Sequence, residues 1–233
     1  MVLPRHASPS CRAMSDPLAR LAQASAVGWI LMLLSGCAYQ GLSIEQHYST
    51  YAAQLPDNNK IFVCSAYGCR TRSEFKFTPG DIAKLRSLMA EPKRGADPRK
   101  ERVRLGHTLA WMEKRVGDVV GTSADRPGDD FYGAGDPGQM DCVDVATNLT
   151  SYLLVLQANG LIKHHTVAPL YVKEDIRKGL SGWTHYAAMV VENRTKQKYA
   201  VDGWLLPSGK EPEIVEVEKW YIDDRNIAVK GSL

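Results

Sequence analysis

The sequence predicts an α+β protein in which a helix packs on an antiparallel sheet. Three observations carry this. Helical periodicities occupy the middle of the chain, from Asp81 to Ala158. Strand-like runs follow at 166–172, 184–191 and 198–204, with Asn193-Arg194 as a turn between the last two. Helices first and tightly connected strands afterwards form separate layers, not alternating β-α-β units. The 233 residues are 44% hydrophobic and 24% charged, which fits about one globular domain with short appendages. A formal net charge of +3 gives no basic stripe. The basic residues between Lys93 and Arg104 alternate with acidic ones, so nucleic acid is not an expected partner.

The N-terminus reads as an export signal. Arg12 and Arg20 precede the apolar run Ala26 to Leu34, which ends in Ser35-Gly36-Cys37. A basic region, a short apolar segment and small residues before a cleavage point make a secretory signal. The run falls short of the ~20 apolar residues a permanent membrane span requires. Leu34-Ser35-Gly36-Cys37 resembles a bacterial lipobox, which implies lipidation of Cys37 as the mature N-terminus. Residues 1–36 are then a leader, whose true start is placed at Met14 because the stretch before it lacks signal character. The expected location is the cell envelope, lipid-anchored and periplasm-facing, at the outer membrane more than the inner.

Residues 37–80 form an expected N-terminal subdomain. Strands at Lys60–Cys64 and Ser73–Phe77 flank Val63-Cys-Ser-Ala-Tyr-Gly-Cys69. In an oxidising compartment Cys64 and Cys69 are expected to pair, with Gly68 bending the chain. Residues 81–233 form the main domain. Thr78-Pro79-Gly80-Asp81 opens a helix running from Asp81 to about Glu91. A second helix spans Pro98 to Val116, with a broad stripe containing Val103, Leu105, Leu109, Met112 and Val116. His107 and Arg115 on it are read as structural. The Gly-, Asp- and Pro-rich stretch 117–140 is a long loop of the kind that carries function. A third helix starts at Cys142 and stops at Asn159-Gly160. A last strand is expected at Glu213–Val217.

With Cys11 in the leader, Cys37 lipidated and Cys64 paired with Cys69, Cys142 is left over, and a lone thiol in an exported protein invites explanation. Its place at a helix start matters, because unpaired amides and the helix dipole favour a thiolate there. Asp141 can cap the same helix. His185 and Asp202 each lie eight residues from the Asn193-Arg194 turn, so they are expected to stand directly opposite each other on one face. That arrangement lets an acid orient an imidazole. His185 is then the base to Cys142. The backbone amide of Cys142 and the side chain of Gln139 are candidate oxyanion donors.

Gln139-Met-Asp-Cys-Val-Asp144, His185-Tyr-Ala-Ala-Met-Val-Val191 and Tyr199-Ala-Val-Asp-Gly203 together resemble three blocks of the bacterial transglutaminase-like cysteine peptidases. The likeness extends over about residues 98–206 and is similar also to a group of short exported bacterial lipoproteins with Gln-Met-Asp-Cys blocks. It implies a papain/transglutaminase-like fold, with Cys142 as nucleophile, His185 as base and Asp202 as orienter. It also implies a cysteine peptidase or amidase acting on a protein or peptide substrate. Met140 replaces the family's Gly. Val143 replaces an acidic residue that helps bind calcium in some members, which leaves Asp141 and Asp144 as the calcium candidates; no other cofactor is expected. Two further functions have a basis in the sequence. One is a non-catalytic envelope lipoprotein using the domain as a binding module. The other is a metal-dependent hydrolase built on His164 and His165, which strand alternation sends to opposite faces. The sequon Asn148-Leu-Thr150 falls inside a helix and has no meaning in a bacterial protein.

Overall fold

The computed structural model describes residues 42–91, 97–128, 131–174 and 184–222. All belong to the compact unit Tyr39–Leu233. The leader, the lipobox and Cys37 lie outside the described residues. In chain order the elements are α1 (Ile44–Thr50), β1 (Lys60–Ser65), β2 (Thr71–Lys76), α2 (Pro79–Leu88) and α3 (Pro98–Val120). After a single 3₁₀ turn at Phe131–Gly133 come α4 (Cys142–Ala158), β3 (His165–Glu174), β4 (Thr184–Glu192), β5 (Lys198–Asp202), β6 (Glu213–Glu216) and α5 (Val217–Ile222). The fold is α+β, with antiparallel sheets. β1 and β2 form a hairpin, and the second sheet has the order β3-β4-β5-β6. No described helix is long and apolar enough to cross a membrane.

The helix ends follow from local chemistry. Thr78 and Asp81 form a capping box at α2, with Pro79 in its first turn, where a missing N–H costs nothing. Asp141 and Asp144 do the same at α4. The far end of α4 closes at Gly160, with φ of 64°. There Gly160 N donates to Gln157 O and Leu161 N to Leu156 O, the paired bonds of a Schellman stop. α3 runs past Val116 to Val120 because Gly117 is not its terminator. Ser123 and Thr122 pack where a Gly117 Cβ would stand, and the left-handed Gly121 ends the helix instead.

α4 is buried along nearly its whole length, which marks a central helix rather than an amphipathic surface one. Val145, Leu149 and Leu153 join Ala188, Val190, Tyr199 and Val201 of the sheet, and α3 adds Leu105, Leu109 and Met112. The opposite sheet face carries a smaller cluster of Tyr171, Ala187, Met189 and Ala200 beneath Val217 and Trp220 of α5. The β1–β2 hairpin docks on α4 through Asn148, whose side-chain amide accepts from Cys64 N at 2.8 Å and donates to Cys64 O at 2.9 Å. Cys64 and Cys69 form a disulfide.

The β4–β5 register corrects one expectation. Ala188 pairs with Val201 and Val191 with Lys198, so the turn is centred on Arg194-Thr195, one residue later than expected, and the pairing register shifts by two. Glu192 N donates to Gln197 O and Lys196 N to Glu192 O, closing a longer loop with Lys196 at φ 63°. Asp202 therefore stands across from the Ala187 position, diagonal to His185. A shift by an even number keeps both side chains on one face. α5 is also unforeseen, since Val217 begins a helix instead of ending a strand.

Candidate functional site

His185 and Asp202 form a buried pair, with Nε2 donating to Oδ2 at 2.7 Å. His185 is fully buried and Asp202 is 6% exposed. Two further donors hold the carboxylate: Trp220 Nε1 to Oδ2 at 2.8 Å and Trp204 N to Oδ1 at 3.1 Å. Burial pushes the Asp202 carboxyl upward, but bonding to His185, the charge on that ring and the two tryptophan donors outweigh it and hold it below its usual range. Whenever the ring carries one proton, an ionised Asp202 fixes that proton on Nε2 and leaves the lone pair on Nδ1. Nδ1 is buried and has no hydrogen-bond partner among the described residues. The imidazole lies between two indoles, with centroids 4.8 Å from Trp204 and 5.4 Å from Trp220.

Cys142 is the first residue of α4, is not disulfide-bonded and is 6% exposed. Its Sγ donates to Thr184 O at 3.7 Å, the carbonyl of the peptide bond leading into His185. Strand alternation places His185 and Asp202 with Ala187, Met189 and Ala200, on the face that α5 covers. Cys142 belongs to the other face, with α4. The thiol thus meets the start of β4 from one side, and the His185–Asp202 pair occupies the other.

Gln139 spends its amide on the neighbouring loop. Nε2 donates to Ala124 O and Oε1 accepts from Arg126 N, both at 3.2 Å. It braces the segment before Cys142.

Asp141 and Asp144 are surrounded by N–H donors. Asp144 accepts from Tyr67 N at 2.9 Å, Cys69 N at 2.6 Å and Asp141 N at 3.3 Å. Asp141 accepts from Gly68 N and Asp144 N, both at 2.9 Å. Burial pushes both carboxyls up, and their proximity adds to this at Asp144. Amide hydrogens aimed at these oxygens do not fit a calcium site, which needs lone pairs turned toward the ion. Cys64, Cys69 and Asp144 also lie within metal-binding reach of one another, but sulfurs joined in a disulfide offer no thiolates.

The other geometric grouping, Glu91, Glu101 and His164, is likewise occupied. Glu101 accepts from Lys163 N, His164 N and His165 Nδ1. Glu91 pairs with His164 and Arg104. His165 Nε2 meets Arg102 at 3.1 Å, so it accepts, and both its ring nitrogens are engaged. His164 and His165 thus belong to a hydrogen-bonded brace that ties Glu91 and Glu101 to the start of β3. His107 is exposed and pairs with Glu211, and Arg115 holds Asp81 at 3.0 Å. Trp204, Trp220 and Thr184 were not singled out by sequence reasoning, and the loop 66–69 was read only as a disulfide-closed bend, not as a donor to Asp141 and Asp144. Trp204, two residues beyond Asp202, was the one available signal.

Comparisons of the chain with protein-family models, with curated proteins and with solved structures find no match.

Proposed function

We propose that this chain is an exported thiol-dependent acyl-transfer enzyme of papain/transglutaminase-like architecture, acting as a cysteine peptidase or amidase. The observation that carries the reading is the His185–Asp202 pair at 2.7 Å, with a buried Nδ1 that has no partner among the described residues, one peptide bond from the carbonyl that Cys142 touches. On this reading the thiol leaves Thr184 O and the start of β4 shifts so that the thiol proton reaches Nδ1 from across the strand. The thiolate then attacks the carbonyl carbon of a peptide or side-chain amide. The imidazolium returns its proton to the leaving amine as the C–N bond breaks, and a thioester to Cys142 remains. Water, deprotonated by His185, releases the acid; an amine in its place gives transfer. The amide of Cys142, at the helix start, is the natural donor to the developing oxyanion. The leader and Cys37 would place this domain on the periplasmic side of a lipid anchor.

Burial of Cys142, and its position across the sheet from the imidazole, favour a second reading: a binding module in which the same residues are structural. One experiment separates them. The pH dependence of Cys142 alkylation by iodoacetamide is measured in the wild type, His185→Ala and Asp202→Asn. A thiol midpoint well below the unperturbed ~8.5 that rises in His185→Ala supports the enzyme. A midpoint that ignores both substitutions supports the module.

A further inference from the structure

The loop closed by the Cys64–Cys69 disulfide directs its amides at the start of α4. Ala66, Tyr67, Gly68 and Cys69 all have positive φ, between 61° and 66°. Such a run makes a left-handed turn, a conformation that costs L-residues roughly 1–2 kcal/mol each. It brings successive N–H groups to one side, the geometry of an anion-binding concavity. Here the anions belong to the protein. Tyr67 N and Cys69 N reach the two oxygens of Asp144, and Gly68 N reaches Asp141. Ala66 N donates to Gln139 O at 2.7 Å, and Cys64 is held by Asn148. The contacts flank Cys142 on both sides, at 139, 141, 144 and 148.

We propose that the Cys64–Cys69 loop is a positioning element for the thiol, so that reactivity at Cys142 follows the oxidation state of that pair. The proposal rests on the thiol-enzyme reading above. Without the cross-link, nothing covalent holds non-glycine residues in the left-handed turn. The loop then relaxes, its amides leave the two carboxylates, and the first turn of α4 loses the bonds that fix the Cys142 backbone. Tyr51 of α1 is in electrostatic reach of the thiol, Asp141 and Asp144 flank it at the start of α4, and His185 of β4 follows the Thr184 carbonyl that it touches. Loss of the clamp alters its relation to all of them. The chemistry is an exchange with a dithiol. One thiolate attacks the disulfide and displaces a cysteine thiolate, and the second closes on the mixed disulfide. Two electrons and two protons pass from the dithiol to Cys64 and Cys69. Both sulfurs are fully buried, so the exchange goes through opening of the hairpin.

The test uses the purified full-length chain, with alkylation at Cys142 resolved by peptide mass spectrometry. Dithiothreitol is applied until Cys64 and Cys69 are shown to be reduced, then removed, and helix content is followed by circular dichroism. The expected result is at least a tenfold slower alkylation of Cys142 at pH 7 with helix content retained, reversed on reoxidation. The Cys64→Ala/Cys69→Ala variant should match the reduced protein with or without dithiol; if it does not fold, the reduced wild type carries the test. An unchanged rate and midpoint in the reduced protein overturns the clamp alone. Global unfolding on reduction also overturns it, since the disulfide would then hold the whole domain. An ordinary midpoint in the oxidised protein, unmoved by His185→Ala, overturns the enzyme reading and this proposal with it.

Discussion

Replacing Asp202 by Asn should cost about 2–4 kcal/mol of stability. The carboxylate accepts from three donors described above, His185 Nε2, Trp220 Nε1 and Trp204 N. An amide has one acceptor atom. If its oxygen faces His185 and Trp220, its nitrogen meets the Trp204 N–H; the opposite rotamer abandons both rings. Either way at least one buried donor is orphaned, at about 1–3 kcal/mol, and a charge-assisted bond worth roughly 1.5–3 kcal/mol is weakened. For a chain of this size the loss corresponds to a fall in Tm of roughly 5–15 °C. Urea denaturation at pH 7 measures it. The pH dependence provides the sign. Asp202 is held below its usual range, so its contribution is complete above about pH 4 and disappears as pH falls through its depressed value. The gap between wild type and Asp202→Asn should be constant near neutrality and close in strong acid. A variant within about 0.5 kcal/mol of wild type at pH 7 would refute the account of Asp202 as a saturated buried acceptor.

Burial pushes Glu113 and Asp125 up to about 7, so the stability they confer is full below about pH 4 and lost as pH rises through 7. Unfolding free energy should therefore decline from about pH 4.5 to 7 and level off above that, and Asp125→Asn should flatten that decline. Below pH 6.5 His47 acts oppositely, because burial holds it down to about 4 and its contribution is lost as pH falls toward that value. Glu101→Gln should destabilise by about 3–5 kcal/mol, since Glu101 is 1% exposed and accepts from Lys163 N, His164 N and His165; thermal denaturation checks this. Gly138→Ala should cost about 2 kcal/mol or more. Gly138 has φ of 90°, and an added Cβ would collide with the Gly121 carbonyl. A Tm unchanged within 2 °C would show that the loop yields freely there.

What could be read from the residues was what local chemistry dictates. The Asp141 cap, the Gly160 stop and the alternating runs of β3, β4 and β5 all carry their signals within a few positions. The Cys64–Cys69 cross-link was legible from spacing and context. The turn after Glu192 was not, because its left-handed residue is Lys196, where no glycine or asparagine marks it. Gly117 misled in the other direction: a glycine needed for close packing resembles one needed to end a helix. The side of the sheet on which α4 docks is a tertiary choice, and no pattern in Cys142, His185 or Asp202 reports it. Trp220 escaped notice because α5 has only six residues, too short for a periodicity to show. The left-handed turn at 66–69 was hidden because Ala66, Tyr67 and Cys69 disfavour it individually and adopt it only through partners elsewhere in the chain.

Those partners have a kinetic consequence. The amides of residues 64–69 find their acceptors 73 to 84 positions further along. The loop cannot complete its hydrogen bonds until a helix far along the chain has joined it. Until Asp141, Asp144 and Asn148 arrive, a left-handed turn has only the cross-link to hold it. Contacts of such long sequence separation form late in a folding reaction. Substitutions in the loop should therefore act mainly on the unfolding rate and leave the folding rate nearly untouched. The first turn of α4, where Cys142 sits, would then be among the last parts of the domain to become ordered, so the thiol would acquire its environment only once the chain around it is complete.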